Sequence, residues 1–173
     1  WINTSMIDFG STKTLFHGTH LDKLWLIMQD GQLHPTSENQ GPAGVSLSRS
    51  FKVAYLHGTY RQENLQYSFF DYFDLGDAPD WSPVVFEFQR DKIKGKIIPY
   101  HDLGPHDEEE EERVLGEVSF DALIAIHLSP SDVRDYLRKA KEAFSKGGHE
   151  YDATFSQILK NTLEDPRIKI LNT

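Results

Sequence analysis

The sequence predicts an α+β fold with a largely antiparallel or mixed sheet, and three observations predict it. Helical patterns separate the early strand-like segments, whereas the later ones follow one another directly, an order typical of segregated helices and strands. No Gly-x-Gly-x-x-Gly or P-loop spacing occurs, which disfavours a doubly wound dinucleotide fold. The 173 residues, 38% of them hydrophobic, carry enough apolar material for one core, so residues 1–173 are read as a single domain.

Taken in order, Lys13 to Thr19 (KTLFHGT) has an apolar centre closed by Gly18, as expected of a short buried strand ending in a tight turn. Leu21, Leu24, Trp25 and Met28 then recur at i, i+3, i+4 and i+7, with Gly31 placed to stop an amphipathic helix. After the turn-rich HPTSENQGPAG, Val45 to Ser48 reads as a second strand, and Phe51 to Leu56 as the start of a helix capped by Ser48 or Ser50. Residues 58 to 81, rich in aromatics, Gln and Asp, have no clean period and are expected to form a long loop.

Four strands are predicted next: Val84 to Phe88, Lys96 to Tyr100, Arg113 to Phe120 and Ala122 to Leu128. Ser129 as N-cap, Pro130 at N1, apolar Val133, Tyr136, Leu137 and Ala140, and the Gly147-Gly148 stop predict a helix. Its Arg134, Arg138, Lys139, Lys141 and Lys146 are interrupted by Asp132, Asp135 and Glu142. That pattern reads first as a solvated face and second as a phosphate-binding surface. A last helix is expected over Asp152 to Leu163, and a closing strand over Arg167 to Leu171.

Composition narrows the function classes. With no cysteine, disulfide scaffolds, thiolate metal sites and cysteine nucleophiles are excluded. The net charge of −9 argues against a large basic nucleic-acid face or a polybasic membrane anchor. Six of those nine excess charges sit in one run, Asp107 to Glu112. No apolar stretch is long enough to span a bilayer and no secretory pattern opens the chain, so the expected address is cytoplasmic. Neither His17 with His20 nor His101 with His106 and the Glu run follows a recognised ligand spacing, so no metal is expected.

Three pieces carry candidate chemistry. In Phe16-His17-Gly18-Thr19, an imidazole at the end of an apolar strand precedes a Gly that permits close backbone approach and a hydroxyl that can hydrogen-bond. The same four residues would also serve as an ordinary strand-to-helix turn with a structural His. In Gly44-Val45-Ser46-Leu47-Ser48, two serines at i and i+2 share a strand face, one able to support a reacting group and the other to cap the next helix. Tyr55 and His57 on that helix can stack on a ligand or pack the core. Finally, the acidic run leads straight into Arg113-Val114-Leu115, so its last carboxylates are held by a strand while the earlier ones are solvated. A carboxylate fixed there could stabilise a cationic, oxocarbenium-like transition state or hold a ribose hydroxyl.

In this order the three pieces resemble the ADP-ribosyltransferase superfamily. Phe16-His17-Gly18-Thr19, a helix and Gly31-Gln32-Leu33-His34-Pro35 are similar to the first motif of its diphtheria-toxin and poly(ADP-ribose) polymerase branch. Ser46-Leu47-Ser48 is similar to the Ser-x-Ser motif of the Arg-Ser-Glu branch, and the Glu run entering a strand is similar to the third motif. The resemblance implies a split, two-sheet core with flanking helices, whose cleft binds NAD as a consumed substrate. His17 would hold a ribose hydroxyl, Gly18 the nicotinamide carboxamide through its backbone, and Thr19 the turn. Ser46 and Ser48 would support the site, and Tyr55 or His57 would stack on the nicotinamide. Glu112 would stabilise the oxocarbenium character at the ribose, with Glu110 helping to choose the acceptor and Glu111 pointing to the opposite face. The implied activity is mono-ADP-ribosyl transfer from NAD to a macromolecular acceptor, protein or nucleic acid, and the small size suggests a toxin or phage effector. Two alternatives are NAD glycohydrolysis and a catalytically silent binding module of the same fold. Neither a metal nor a membrane is implied.

Overall fold

A computed structural model of the chain describes residues 13–36, 43–59, 70, 73–76, 82–98, 111–146, 157 and 160–170. The elements are β1 (Thr14–His20), α1 (Leu21–Asp30), β2 (Gln32–Leu33), β3 (Val45–Ser48), α2 (Phe51–Thr59), β4 (Pro83–Gln89), β5 (Lys96–Ile98), β6 (Glu111–Leu115), β7 (Val118–Ser119), β8 (Leu123–Leu128), α3 (Pro130–Lys146) and β9 (Ile168–Ile170). Seven strands form one sheet in the order β5-β6-β3-β1-β4-β8-β9, and β2 pairs with β7 in a second, two-stranded sheet. Neighbours in the large sheet are antiparallel, except that β9 runs parallel to β8. The class is therefore the expected α+β, with two sheets and flanking helices.

Several elements differ from the sequence expectation in ways with a physical cause. The strand β1 does not turn at Gly18 but continues to His20, because all seven of its residues pair with β4. The segment expected as one strand over Arg113 to Phe120 is two, broken where Gly116 takes a φ of 95° that a side chain would disfavour. That break sends β7 to the small sheet and leaves β6 in the large one. At its other end β6 begins two residues early, so the last two acids of the run, Glu111 and Glu112, belong to the ladder.

The helix α2 extends to Thr59, into the segment expected as loop, and Ser50 caps it by accepting from the amide of Val53 at 3.3 Å. Ser48, the other candidate cap, accepts from the amide of Ser50 at 3.0 Å. Phe70, Phe73 and Leu75, also from the expected loop, pack on the core. Of the helix expected over Asp152 to Leu163, residues 157 and 160–163 are described and are helical. The rest lies outside the described residues.

Both faces of the large sheet are covered. One carries Leu15, Leu47, Phe86, Phe88, Val114 and Ile126 against Leu24 and Trp25 of α1 and Tyr136, Ala140 and Phe144 of α3. At that contact the buried carboxylate of Asp22 accepts from the Tyr136 hydroxyl at 2.5 Å and from the amide of Phe70 at 3.3 Å. Burial and the Asp22 charge together push the Tyr136 phenol pKa well above its ordinary value. The opposite face packs Phe16 and Val85 against Phe51 and Ala54 of α2. There Gly18 is obligatory, since a Cβ on it would lie 1.6 Å from the carbonyl oxygen of Ala54. On α3, Arg138 pairs with Asp135 at 2.6 Å and with Glu142 at 2.9 Å, as expected of a solvated face.

Candidate active site in a cleft where two strands part

The strand β1 shares seven registered pairs with β4 but only one with β3, Phe16 with Ser48. Beyond that pair the two strands separate. The opening forms a cleft of about 910 Å³, bounded by β1, β3 and the first residue of β6, by α1 and α2, and by the segment from Gln32 to Thr36. The volume falls at the upper end of the roughly 300–1,000 Å³ usual for small-ligand pockets, so it suits a ligand of dinucleotide size.

His17 stands at the parting. Its Nδ1 lies 2.9 Å from the backbone oxygen of Ser46, across the gap between β1 and β3. A carbonyl only accepts, so Nδ1 carries the proton and donates. Burial is the main force lowering the His17 pKa from its ordinary 6.5, and nearby His57 and Lys23 lower it further against the Ser46 carbonyl. The ring is therefore neutral near pH 7, with Nε2 left as an acceptor suited to a hydroxyl donor.

Ser46, Ser48, Glu111 and Arg113 share one face of the β3–β6 ladder, because Ser46 registers with Arg113 and Ser48 with Glu111. Ser46 Oγ donates to Glu111 Oε1 at 2.5 Å, and Arg113 Nη2 donates to the same oxygen at 3.0 Å. Arg113 Nη2 also reaches Ser46 Oγ at 3.3 Å. Glu111 lines the cleft and Arg113 does not.

Glu112 does not face the cleft, contrary to the expectation from the resemblance. It registers with Leu47 on the core side of the ladder, where Arg90 forms an ion pair with it and leaves it 4% exposed. Beginning β6 at Glu111 assigns the alternate faces, and Arg90 supplies the charge that lets a carboxylate occupy the inner one. Glu110 lies outside the described residues.

The remaining candidates divide. Gly18, Thr19, Ser48 and His57 line the cleft with His17 and Ser46. Tyr55 does not. Its ring stacks on Phe51 at 6.3 Å between centroids and belongs to the apolar cluster beneath α2, where burial and then the Asp132 charge raise its pKa. One helical step separates Tyr55 from the cleft-lining Ala54, and the packing of Phe51 decides between the faces.

One cleft residue escaped sequence reasoning. Lys23 of α1 lines the cleft half-buried, and burial lowers its pKa, partly opposed by Asp22. Among the described residues it has no ion-pair partner, so it offers a cation to an anionic ligand. A polar Lys on the face between Leu21 and Leu24 was the available signal. The segment Asp30 to Thr36 forms the rim, with His34 paired to Asp30. Among the described residues no group of three His, Asp or Glu is placed to hold a metal ion, and no helix is long and apolar enough to cross a membrane.

No protein-family model and no curated protein matches the chain. Among solved structures it is similar to those of Thermus sp. 2.9 DarT. With DarT in complex with NAD+ the identity is 13% and the TM-score 0.45, over 94% of this chain and 97% of that one. With DarT in complex with ADP-ribosylated ssDNA the values are 12% and 0.45, over 91% and 93%. With DarT in complex with carba-NAD+ they are 13% and 0.41, over 76% and 90%. The likeness is one of chain course; the chemistry of the cleft rests on its own side chains.

Proposed function

We propose that this protein is an ADP-ribosyltransferase that consumes NAD and passes its ADP-ribose to a macromolecular acceptor. The observation that carries the proposal is the convergence of His17, Ser46 and Glu111, from three separate strands and all three resembled motifs, on one cleft.

The donor set suits the substrate. His17 Nε2 and the Glu111 carboxylate are acceptors for ribose hydroxyls, and Lys23 supplies a cation for a phosphate. Leu26, Ile27 and Val53 provide apolar wall. NAD brings a cationic nicotinamide as a ready leaving group. The bond between ribose C1′ and the nicotinamide nitrogen breaks, and its electron pair neutralises the ring. A lone pair of the acceptor forms the new bond to C1′, and the acceptor's proton passes to solvent. Glu111 stabilises the positive charge that develops on the ribose between those events. Glu111 thus takes the role that the resemblance suggested for Glu112. Catalysis by this set is electrostatic and positional, and His17 acts by holding the ribose.

The test is incubation with NAD labelled in the adenylate, offering protein, RNA and DNA acceptors while released nicotinamide is measured. Release with label on one acceptor class supports the proposal and names the class. Release without transfer makes water the acceptor and the protein a glycohydrolase. An absence of both release and calorimetric NAD binding would overturn the proposal.

A further inference from the structure

We propose that Arg113 is the positioning residue of this site: its guanidinium holds Glu111 Oε1 and Ser46 Oγ together, so that Glu111 Oε2 is the oxygen presented to the ribose. The inference rests on the proposed function and assigns the reacting atom within it.

The geometry is specific. Both contacts of Glu111 described above fall on Oε1, from Ser46 at 2.5 Å and Arg113 at 3.0 Å. Among the described residues Oε2 has no hydrogen-bond partner, and Glu111 lines the cleft. The Arg113 side chain is 6% exposed and absent from the cleft wall, so it acts on a ligand through the cleft-lining groups it holds, Glu111 and Ser46. Room for its stem comes from Gly44, where a Cβ would stand 2.7 Å from Arg113 Cγ and 2.6 Å from the carbonyl oxygen of Val114. A carboxylate with one oxygen saturated by a planar, permanently charged donor loses its freedom to swing, which is the preorganisation that electrostatic catalysis needs. The other side of the ladder is closed to this role, because Arg90 is committed to Glu112.

The experiment is steady-state and single-turnover nicotinamide release on the full chain. Arg113→Met should lower kcat about 10- to 100-fold while KM for NAD stays within about threefold. Arg113→Lys, which keeps the stem and the charge but loses the planar fork, should recover part of that loss. In a Glu111→Gln background either substitution should change kcat by less than about twofold, because the group through which Arg113 acts is already neutral. Wild-type kcat in both Arg113 variants, or an equal further loss in the Glu111→Gln background, would overturn the positioning role. If Arg113→Met does not fold, Arg113→Lys alone decides by the same comparison of backgrounds. A wild-type protein that neither binds NAD nor releases nicotinamide defeats the function proposal and this inference with it, whereas an active wild type without the coupling defeats this inference alone.

Discussion

Glu111 and Glu112 are neighbours in the chain but lie on opposite faces of β6, each held by a different arginine: Glu111 by Arg113 beside the cleft, Glu112 by Arg90 on the core side. The two carboxylates have the same chemistry and adjacent positions, yet only one reaches the cleft. Their substitutions should therefore separate in the release assay. Glu111→Gln should lower nicotinamide release by about 10²- to 10³-fold, since it removes transition-state charge stabilisation, and should also lower the melting temperature, because the buried Arg113 loses its charged partner. Glu112→Gln should leave release largely intact but cost about 1–3 kcal/mol of stability, because Arg90 loses its buried partner. Chemical denaturation and a release assay on both variants check this. Loss of activity in Glu112→Gln without destabilisation would return the catalytic role to Glu112.

Gly18 is where α2 meets the sheet. Gly18→Ala drives a methyl group into the Ala54 carbonyl, so the helix must move away from β1. Overpacking of this kind typically costs 1–3 kcal/mol, and with backbone on the other side of the clash the expected loss is about 3 kcal/mol or more. Because α2 also carries Val53 and His57 on the cleft wall, NAD binding should weaken with it. Thermal melts and calorimetry measure both, and a variant with wild-type melting behaviour would contradict the described packing.

His17 gives the protein a pH signature. Its pKa in the folded chain lies below the ordinary 6.5, chiefly through burial. The unfolded chain therefore takes up this proton first as pH falls, and the folded state loses stability on passing below 6.5 toward the lower folded value. The stability is fully present above that window. Melting temperature should drop as pH falls below the ordinary 6.5, and should drop less in His17→Gln, which has nothing to titrate there. Equal drops in the two proteins would rule His17 out as the source.

Lys23 should act on binding and not on the chemical step. With no ion-pair partner among the described residues, its replacement leaves no carboxylate stranded. Lys23→Gln should raise KM for NAD by about 10- to 150-fold with kcat nearly unchanged, the loss expected for one hydrogen bond to a charged group formed equally in ground and transition states. Nicotinamide mononucleotide would show whether the lost contact is to the phosphate nearer the nicotinamide, since the variant should then discriminate against both substrates alike. A fall in kcat at constant KM would place Lys23 elsewhere in the mechanism.

The Asp22–Tyr136 contact ties α1 to α3. Tyr136→Phe removes one donor from a carboxylate buried to 2% exposure, and a stability loss of about 1.5–3 kcal/mol is expected, as for hydrogen bonds to charged groups. Urea denaturation followed by tryptophan fluorescence would report it. No change would mean that the carboxylate finds another donor.

Much of this was legible in the sequence where local physics suffices. The 3.6-residue period of Leu21, Leu24, Trp25 and Met28, the Ser-Pro start of α3 and the short β-branched and aromatic run VVFEF each specify their element from within, because periodicity, capping and local composition are properties of neighbouring residues. The residues His17 and Ser46 were identifiable for a related reason: each sits in a short pattern whose chemistry is visible in place. The order of the three motifs along the chain carried the functional reading.

What only the tertiary structure decided is which side each residue faces and whom it meets. A run of five glutamates has no internal mark distinguishing one from the next, and a strand that begins one residue earlier or later exchanges the faces of all of them. The choice falls to Arg90 and Arg113, one distant in sequence and one adjacent, through charges that compensate only in one register. Tyr55 left the cleft because it lies one helical turn from Phe51 and stacks on it, and which face of that helix turns to the sheet is set by the packing of Phe51 in the fold. The single-pair contact between β1 and β3, which opens the cleft itself, is a balance between two pairings of one strand. Local sequence encodes the capacity of β1 to pair, and the competition among its partners in the folded sheet determines where it parts.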